Sequence, residues 1–226
     1  VLTNNKPNHC STSPDGTGII IGWSNFTNRT LAQCAADTID QTDGVRYYKF
    51  SDGSFVQLHY TSEHSDQAYD VNGNEVYVAV SYSDVRQPLA GDGQLFMSRL
   101  DGVGGFVQLR RIYNGNSYPI HISGSTKKRP GWCVVSTYGS PNNASSWDDE
   151  TIFFLELKAR NSRHVMVCHH YSWLRYSDPV EFYYWAEPHA SVNADLTRIM
   201  WHADFNEEPN IWSFMAALPS DWPSRI

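Results

Sequence analysis

A unit made of a histidine, a short strand, a tight turn and a second strand recurs four times in this sequence and limits what it can fold into. The most regular copy runs from Glu187 to Phe205, and turn-forming residues at 193–197 separate its two β-type segments. The other copies begin at His9, His64 and His121, so the marker histidines lie 55, 57 and 68 residues apart. Repeats of this kind predict a series of small antiparallel sheets.

The composition agrees with an all-β chain. Aromatic residues make up 14% of the 226 residues and charged residues only 18%, which favours packed strands over disorder. Segments of roughly 40 to 60 residues that each hold four short strands are typical of β-propeller blades. The predicted fold is therefore a β-propeller of four-stranded antiparallel blades.

The repeat spacing places about four blades in one domain, residues 1–226. The predicted blades cover about residues 9–61, 62–116, 117–178 and 186–218, and the last of them lacks an outer strand. Only eight residues precede the first inner strand, so a strand that closes the ring is barely available. We expect the C-terminal part of a larger ring, completed by N-terminal blades or by another chain; the alternative is a true four-bladed ring.

One turn in this sequence carries a known signature. Ser13-Pro-Asp-Gly16 resembles the Trp-Ser-Pro-Asp-Gly repeat of the TolB-like propellers, and Asp70-Val-Asn-Gly73 and Asn193-Ala-Asp-Leu196 are similar to degraded copies of it. The resemblance implies the propeller fold for most of the chain. It does not imply an activity, because this group includes peptidases, lyases, scaffolds and binding proteins.

Charge and hydropathy exclude two kinds of partner. The net charge of −7 argues against nucleic acid, since no basic stripe is present to neutralise phosphates. No run approaches the roughly 18 apolar residues that a membrane span needs, so we expect none. Glycosylation triplets at Asn25, Asn28 and Asn143 favour an exported protein, which we expect to be secreted or periplasmic.

The marker histidines are the main candidates for chemistry. Because each stands at or just before an inner strand, His9, His64, His121 and His189 should surround one mouth of the central channel. Together they are candidate ligands of a divalent metal ion (Mn, Zn or Ca), and the last three are candidate catalytic bases. The alternative is that each imidazole only hydrogen-bonds the neighbouring blade.

The loop between the third and fourth units is unusually aromatic and supplies candidate substrate contacts. Tyr184 and Trp185 offer ring faces for sugars, and the guanidinium of Arg175 can hold a uronate carboxylate. Tyr118 completes the set with Asp66, which either orients an imidazole or caps a turn. The adjacent His169 and His170 are a poor metal pair, because alternation along a strand sends them to opposite faces.

Motifs of other enzyme classes are missing from the sequence. It contains neither a Gly-x-Ser-x-Gly elbow nor a glycine-rich phosphate loop. A funnel with histidines and arginine resembles the propeller polysaccharide lyases of the oligogalacturonate type. That resemblance implies a base that removes the proton next to a carboxylate. We predict an exported propeller that acts on or binds a glycan or polysaccharide at this funnel; the alternative is a non-catalytic scaffold for proteins or glycans.

Overall fold

The computed structural model describes residues 7–23, 44–59, 64–81, 94–111, 118–138, 148–172, 186–205 and 210–225. These residues form fifteen strands and one short 3-10 helix. In chain order the strands are β1 (Pro7–Thr12), β2 (Gly18–Trp23), β3 (Gly44–Lys49), β4 (Phe55–His59), β5 (Ser65–Tyr69), β6 (Glu75–Ser81), β7 (Gln94–Arg99), β8 (Phe106–Arg111), β9 (Tyr118–Ser123), β10 (Trp132–Tyr138), β11 (Thr151–Glu156), β12 (His164–His169), β13 (Ser191–Val192), β14 (Arg198–Ala203) and β15 (Trp212–Ala217); the 3-10 helix is Trp222–Arg225.

The strands form four antiparallel sheets, each built from consecutive strands. The first three sheets, β1–β4, β5–β8 and β9–β12, have four strands each, and β13–β15 form a three-stranded sheet. The predicted all-β fold of four-stranded antiparallel sheets is therefore confirmed. In the described part of the chain the last sheet has the three strands that the sequence predicted. How many blades the intact ring contains stays a prediction.

The turns after three of the four inner strands, β1, β5 and β13, use one chemical device. Ser13, Asp70 and Asn193 each accept, through a side-chain oxygen, the backbone N–H four residues later, at 3.0, 2.9 and 2.9 Å. Such local hydrogen bonds stabilise a turn over a continued strand. Gly16 closes the first turn with a φ of +69°, and Leu196 takes the equivalent place in the fourth with a φ of +57°. The degraded repeats therefore keep the turn geometry, at the cost of left-handed strain at Leu196.

The best-packed interior lies between the second and third sheets. Alternate residues of β6 (Val76, Val78 and Val80) pack there with Phe153 and Leu155 of β11, and all five are fully buried. Burying one such side chain stabilises the fold by about 1.5–3 kcal/mol. Separate apolar clusters fill the junctions on either side. Apolar contact therefore holds neighbouring sheets face to face.

The 3-10 helix fixes the third sheet to the fourth. The indole of Trp222 stacks on Phe154 at 4.1 Å between ring centroids and meets Trp132 edge-on at 5.3 Å. Its Nε1 donates a hydrogen bond to the carbonyl of Leu196, at 3.0 Å. A buried indole with its one polar atom satisfied is a stable anchor. Among the described residues, no helix has the length and apolar character to cross a bilayer.

Side-chain hydrogen bonds connect each inner strand to the next. The three bonds run from Gln67 Nε2 to Ser11 Oγ (2.7 Å), from Gly124 N to Asp66 Oδ2 (2.7 Å) and from Val192 N to Ser123 Oγ (3.2 Å). At Gly124 a Cβ would lie 2.4 Å from the carbonyl oxygen of Gln67, so only glycine permits this approach. The inner strands lie side by side in chain order, as in propeller blades.

Candidate functional site

Three marker histidines meet at the start of the inner strands. His64 immediately precedes β5, His121 is the fourth residue of β9, and His189 lies two residues before β13. The ring of His121 lies edge-on to His64, with 4.8 Å between centroids, and almost parallel to His189, with 3.8 Å between centroids. The inner strands of three successive sheets thus bring three imidazoles into contact. We call these residues, together with Glu187, the His–Glu cluster.

Glu187 supplies a carboxylate to this cluster. Its Oε2 lies 3.4 Å from Nε2 of His121 and 3.7 Å from Nε2 of His189. One donor atom from each of these three residues lies within 4.8 Å of the others. The sequence analysis assigned Glu187 no role. The available signal was its place two residues before His189, at the start of the most regular repeat.

A backbone hydrogen bond orients the imidazole of His189 for work at Nε2. Nδ1 of His189 donates to the backbone carbonyl of Glu187 at 2.9 Å, so the neutral ring carries its lone pair on Nε2. Metal-bound histidines show the same arrangement, in which the second nitrogen donates to a carbonyl. Nδ1 of His121 is buried and has no hydrogen-bond partner among the described residues. A buried polar atom without a partner is costly, and such positions are candidates for a functional role.

Burial disfavours the charged forms of ionisable groups in the cluster. It lowers the pKa of His121 to about 2, and the neighbouring His189 and His64 add to the effect. Desolvation by the surrounding protein, to which His189 adds, also lowers the pKa of His64, although this residue keeps contact with solvent. Burial raises the pKa of Glu187 to about 7. Because His121 is neutral at pH 7, its contact with Glu187 is not an ion pair.

The donor set suits a transition metal. Two imidazoles and one carboxylate make up the protein ligands of several catalytic zinc sites, which leave a further position for water or substrate. Imidazole nitrogen is a normal ligand of Zn and Mn but not of Ca, which takes oxygen ligands. Of the three predicted metals, the residues present therefore fit Zn and Mn.

His9 and Asp66 lie outside this donor set. His9 is exposed on β1, where the register against β2 shifts, and its ring contacts none of the three clustered imidazoles. Burial raises the pKa of the nearby Asp66 carboxyl; the backbone N–H groups of Gly124 and Gln67 oppose this rise, and His9 opposes it least. Asp66 accepts the backbone N–H groups of Gly124 (2.7 Å) and Gln67 (2.9 Å). It therefore joins two blades, and its contact with substrate stays a prediction.

The remaining predicted contacts cannot be placed in this site. Arg175, Tyr184 and Trp185 lie outside the described residues. Tyr118 is the first residue of β9 and pairs with Tyr138, but its side chain is also outside the description. Their roles in binding substrate therefore stay predictions.

A cavity of about 330 Å³ lies at the opposite ends of the inner strands. Polar side chains surround it, including Ser11, Gln67, Tyr69 and Lys127. It opens beside the turns that follow β1, β5 and β9, whereas the clustered imidazoles of His64 and His189 precede the inner strands. The cavity and the His–Glu cluster are therefore separate features.

Comparison with known proteins gives distant structural likenesses. No protein-family model matches the chain, and no curated protein sequence matches it. The chain is similar to the oligogalacturonate lyase of Vibrio parahaemolyticus, with a TM-score of 0.47 and 13% identity, over 88% of this chain and 46% of the lyase. It is also similar to the hydrazine synthase of Kuenenia stuttgartiensis, with a TM-score of 0.48 and 11% identity, over 94% of this chain and 59% of the synthase. The chain thus spans about half the length of these proteins, and likenesses so distant bring neither a function nor a substrate to it.

Proposed function

We propose that this propeller binds a divalent transition-metal ion through His121, His189 and Glu187 and acts on a glycan beside it. The observation that carries the proposal is the spacing of the three donor atoms. Across a tetrahedral ion with bonds of about 2.0–2.2 Å, neighbouring ligand atoms are roughly 3.3–3.6 Å apart. The distances from Glu187 Oε2 to the two Nε2 atoms are 3.4 and 3.7 Å.

The same distances argue against a direct hydrogen bond. A charge-assisted N–H···O⁻ bond is normally about 2.7–2.9 Å long. The His121–Glu187 and His189–Glu187 contacts are longer by half an ångström or more. An ion between the donors accounts for both separations at once, and it supplies the positive charge that this carboxylate lacks.

Each residue has a defined part in the proposal. A bound ion supplies Lewis-acid polarisation of a substrate oxygen. Glu187 and the two coordinating imidazoles hold it, and the hydrogen bond from His189 to the backbone fixes the ring. His64 contacts His121 edge-on but is not a member of the three-residue donor set, and it is largely neutral at pH 7. It is therefore the candidate proton acceptor.

The glycan part of the proposal rests on the sequence. Arg175 offers a fork for a carboxylate, and Tyr118, Tyr184 and Trp185 offer aromatic surface. The candidate reaction is β-elimination from a uronate: His64 would take the proton from C5, next to the carboxylate, while Arg175 would neutralise the charge that develops there. A double bond then forms between C4 and C5, the C4–O glycosidic bond breaks, and the leaving sugar oxygen takes up a proton from solvent to depart as a hydroxyl. We propose that this takes place outside the cytoplasm, in a secreted or periplasmic protein.

The second candidate is a non-catalytic binding propeller. The hydrogen bonds of His189 to the Glu187 carbonyl and of Asp66 to Gly124 favour it, because both are structural uses of polar groups at blade junctions. In this case the cluster fixes the angle between blades, and glycan or protein partners contact the same face without turnover.

Calorimetric titration with ZnCl₂ and MnCl₂, after treatment with a chelator, tests the metal site. We expect one ion per chain, with affinity reduced at least 100-fold in His189→Ala and in Glu187→Gln, because each change removes a ligand. His169→Ala is the matched control, since this exposed histidine lies on β12 outside the cluster. Equal affinities in all four proteins, or no stoichiometric binding by the unmodified chain, would refute the site.

A second measurement separates enzyme from scaffold. The metal-loaded chain is incubated with polygalacturonate, and the ultraviolet absorbance of an unsaturated product is followed. Product that the unmodified chain forms and that His64→Ala does not form supports a lyase function. Metal binding without product favours the non-catalytic alternative.

A further inference from the structure

Four aromatic side chains form a continuous stack where the third and fourth sheets meet. Tyr171 stacks on Phe205 at 5.0 Å between centroids, Phe205 contacts Phe214 at 4.8 Å, and Phe214 stacks on Trp201 at 5.7 Å. We call this set the aromatic column. Its inner members, Phe214 and Trp201, are half-buried, whereas Tyr171 is 57% and Phe205 43% exposed. One end of the column is therefore partly buried in the protein, and the other end is exposed to solvent.

The exposed end lies on the same side of the sheets as the His–Glu cluster. In an antiparallel meander the second and fourth strands end where the first begins. Tyr171 follows β12, the fourth strand of its sheet, and Phe205 follows β14, the second strand of the next. His64 and His189 precede the first strands of their sheets and so mark the same side.

Both exposed residues have a strained backbone. Tyr171 has a φ of +59° and Phe205 a φ of +51°, in the left-handed region that large side chains rarely adopt. Such strain persists only where the surrounding structure enforces it, and it concentrates at functional sites. Here it turns two large rings towards solvent and against each other, although burying them would favour folding.

Hydrogen bonds across the junction hold the segment 170–172 in place. Three hydrogen bonds do this. They run from Trp201 Nε1 to the carbonyl of His170 (3.3 Å), from Ser172 Oγ to the carbonyl of His202 (3.1 Å) and from Phe205 N to the carbonyl of Tyr171 (3.2 Å). The backbone that carries the two exposed rings is thus held in place before any ligand arrives. A pre-organised surface binds more tightly, because less entropy is lost on binding.

Acidic groups lie beside the column. The carbonyl of Glu150 accepts the backbone N–H of His170 at 2.9 Å, which places this residue next to Tyr171. Burial, with the charges of Asp149 and Asp204, raises the pKa of Glu150 to about 7. Carboxyl groups accept hydrogen bonds from hydroxyls, and they repel an anionic ring. The negative charges of Asp149 and Asp204, which help to raise this pKa, disfavour a uronate, whereas an uncharged sugar meets no such repulsion.

We propose that the aromatic column is a binding subsite for uncharged sugar rings, with Tyr171 and Phe205 as the stacking surface. The C–H face of a pyranose ring is apolar and packs on an aromatic ring, while its hydroxyls reach polar neighbours. The inference deepens the proposed function, because it assigns uncharged sugars to one part of the glycan that the same face handles. It does not depend on the metal.

Affinity electrophoresis in native gels tests the subsite without involving the metal. The gels contain a chelator and one polysaccharide each: mixed-linkage β-glucan, galactomannan, arabinoxylan or polygalacturonate. We expect at least one neutral polymer to retard the unmodified chain, and this retardation to be lost in Tyr171→Gly and in Phe205→Gly. Glycine accepts the positive φ at both places, so the melting temperature should move by less than about 3 °C. Tyr171→Trp keeps a ring and should keep the retardation.

Phe50→Ala is the matched control, because Phe50 is 63% exposed but lies in the turn between β3 and β4, on the opposite side. It should migrate like the unmodified chain. Absence of retardation by any neutral polymer, or normal retardation of both glycine variants, would overturn the subsite. Retardation by polygalacturonate that depends on Tyr171 would overturn the assignment to uncharged sugars. Because the gels contain a chelator, these outcomes do not depend on metal binding. The subsite and the His–Glu cluster are therefore tested separately.

Discussion

Two histidines of this protein with little solvent exposure, His170 and His121, are used in opposite ways. The ring of His170 is fully buried, its Nε2 donates to the carbonyl of Thr137 at 2.9 Å, and its Nδ1 accepts the N–H of Ser172 at 3.0 Å. The side chain of His121 is 15% exposed, and its Nδ1 has no hydrogen-bond partner among the described residues. Both rings are neutral at pH 7, because burial lowers the pKa of His170 to about 4 and that of His121 to about 2.

The contrast separates a histidine with structural partners from one that we propose to be functional. Around His170 the backbone satisfies both nitrogens, so the ring has no capacity left for a ligand. Around His121 the neighbours are two imidazoles and a carboxylate, and His121, His189 and Glu187 are the donor set that we propose to hold an ion. Burial alone does not distinguish the two sites, whereas the partners of each nitrogen do.

The largest effect should come from His170→Ala. The change leaves the Thr137 carbonyl and the Ser172 N–H unpaired in the interior and opens a cavity, so the free energy of unfolding should fall by about 3–4 kcal/mol. Urea denaturation followed by fluorescence measures it. A loss below about 1 kcal/mol would mean that the backbone groups find other partners.

His121→Ala should show the reverse pattern. Zinc affinity should fall at least 100-fold, or about 2.8 kcal/mol in binding free energy, because one of three protein ligands is lost. Without metal, the free energy of unfolding should change by less than about 1 kcal/mol, since no hydrogen bond at Nδ1 is broken. Calorimetry and urea denaturation of the same preparation measure both quantities. A large stability loss with unchanged zinc affinity would assign His121 to the scaffold.

The pH dependence of stability offers a smaller test. The pKa of His170 is about 4 in the folded protein and about 6.5 in the unfolded chain, so below pH 6.5 the unfolded chain takes up the proton first. The stabilising effect of His170 is therefore complete above pH 6.5 and is lost as the pH falls towards 4. Between pH 7 and pH 5.5 the stability difference between the unmodified chain and His170→Ala should shrink by about 1 kcal/mol. A constant difference would show that His170 titrates normally.

The smallest effect should come from the adjacent histidine. His169 is exposed on β12 and contacts Tyr171 with its ring at 6.2 Å. His169→Ala should change the free energy of unfolding by no more than about 0.5 kcal/mol and leave zinc affinity unaltered. Comparison of His169→Ala with His170→Ala should show that two adjacent histidines differ, because the first lies at the surface and the second has a structural role.

Local features of the fold were predictable from the sequence. The turns could be recognised because Ser13, Asp70 and Asn193 stabilise them through hydrogen bonds within a few residues. The meeting of His64, His121 and His189 was predictable for a different reason. Equivalent positions of a repeat come to equivalent places on successive blades, and inner strands are adjacent.

Features that depend on contacts between loops were not predictable in the same way. Glu187 occurs in only one repeat, so no periodicity marked it. Tyr171 and Phe205 belong to different sheets, and their stacking needs two left-handed backbone positions that nothing in the local sequence requires. His9 shares the repeat position, but the register shift in β1 accompanies its separation from the other rings.

The order of the strands also bears on how this chain reaches its native state. Every sheet is a meander, so each strand pairs with a neighbour along the chain. Pairing consecutive strands loses less chain entropy than pairing distant ones, and topologies rich in local pairing fold faster than those that join distant segments. Each blade can thus form as a unit of its own, and the rate of the whole process depends on the later docking of blades through their apolar faces. Newly made blades expose those faces until docking is complete, and in this interval the chain is most prone to aggregate.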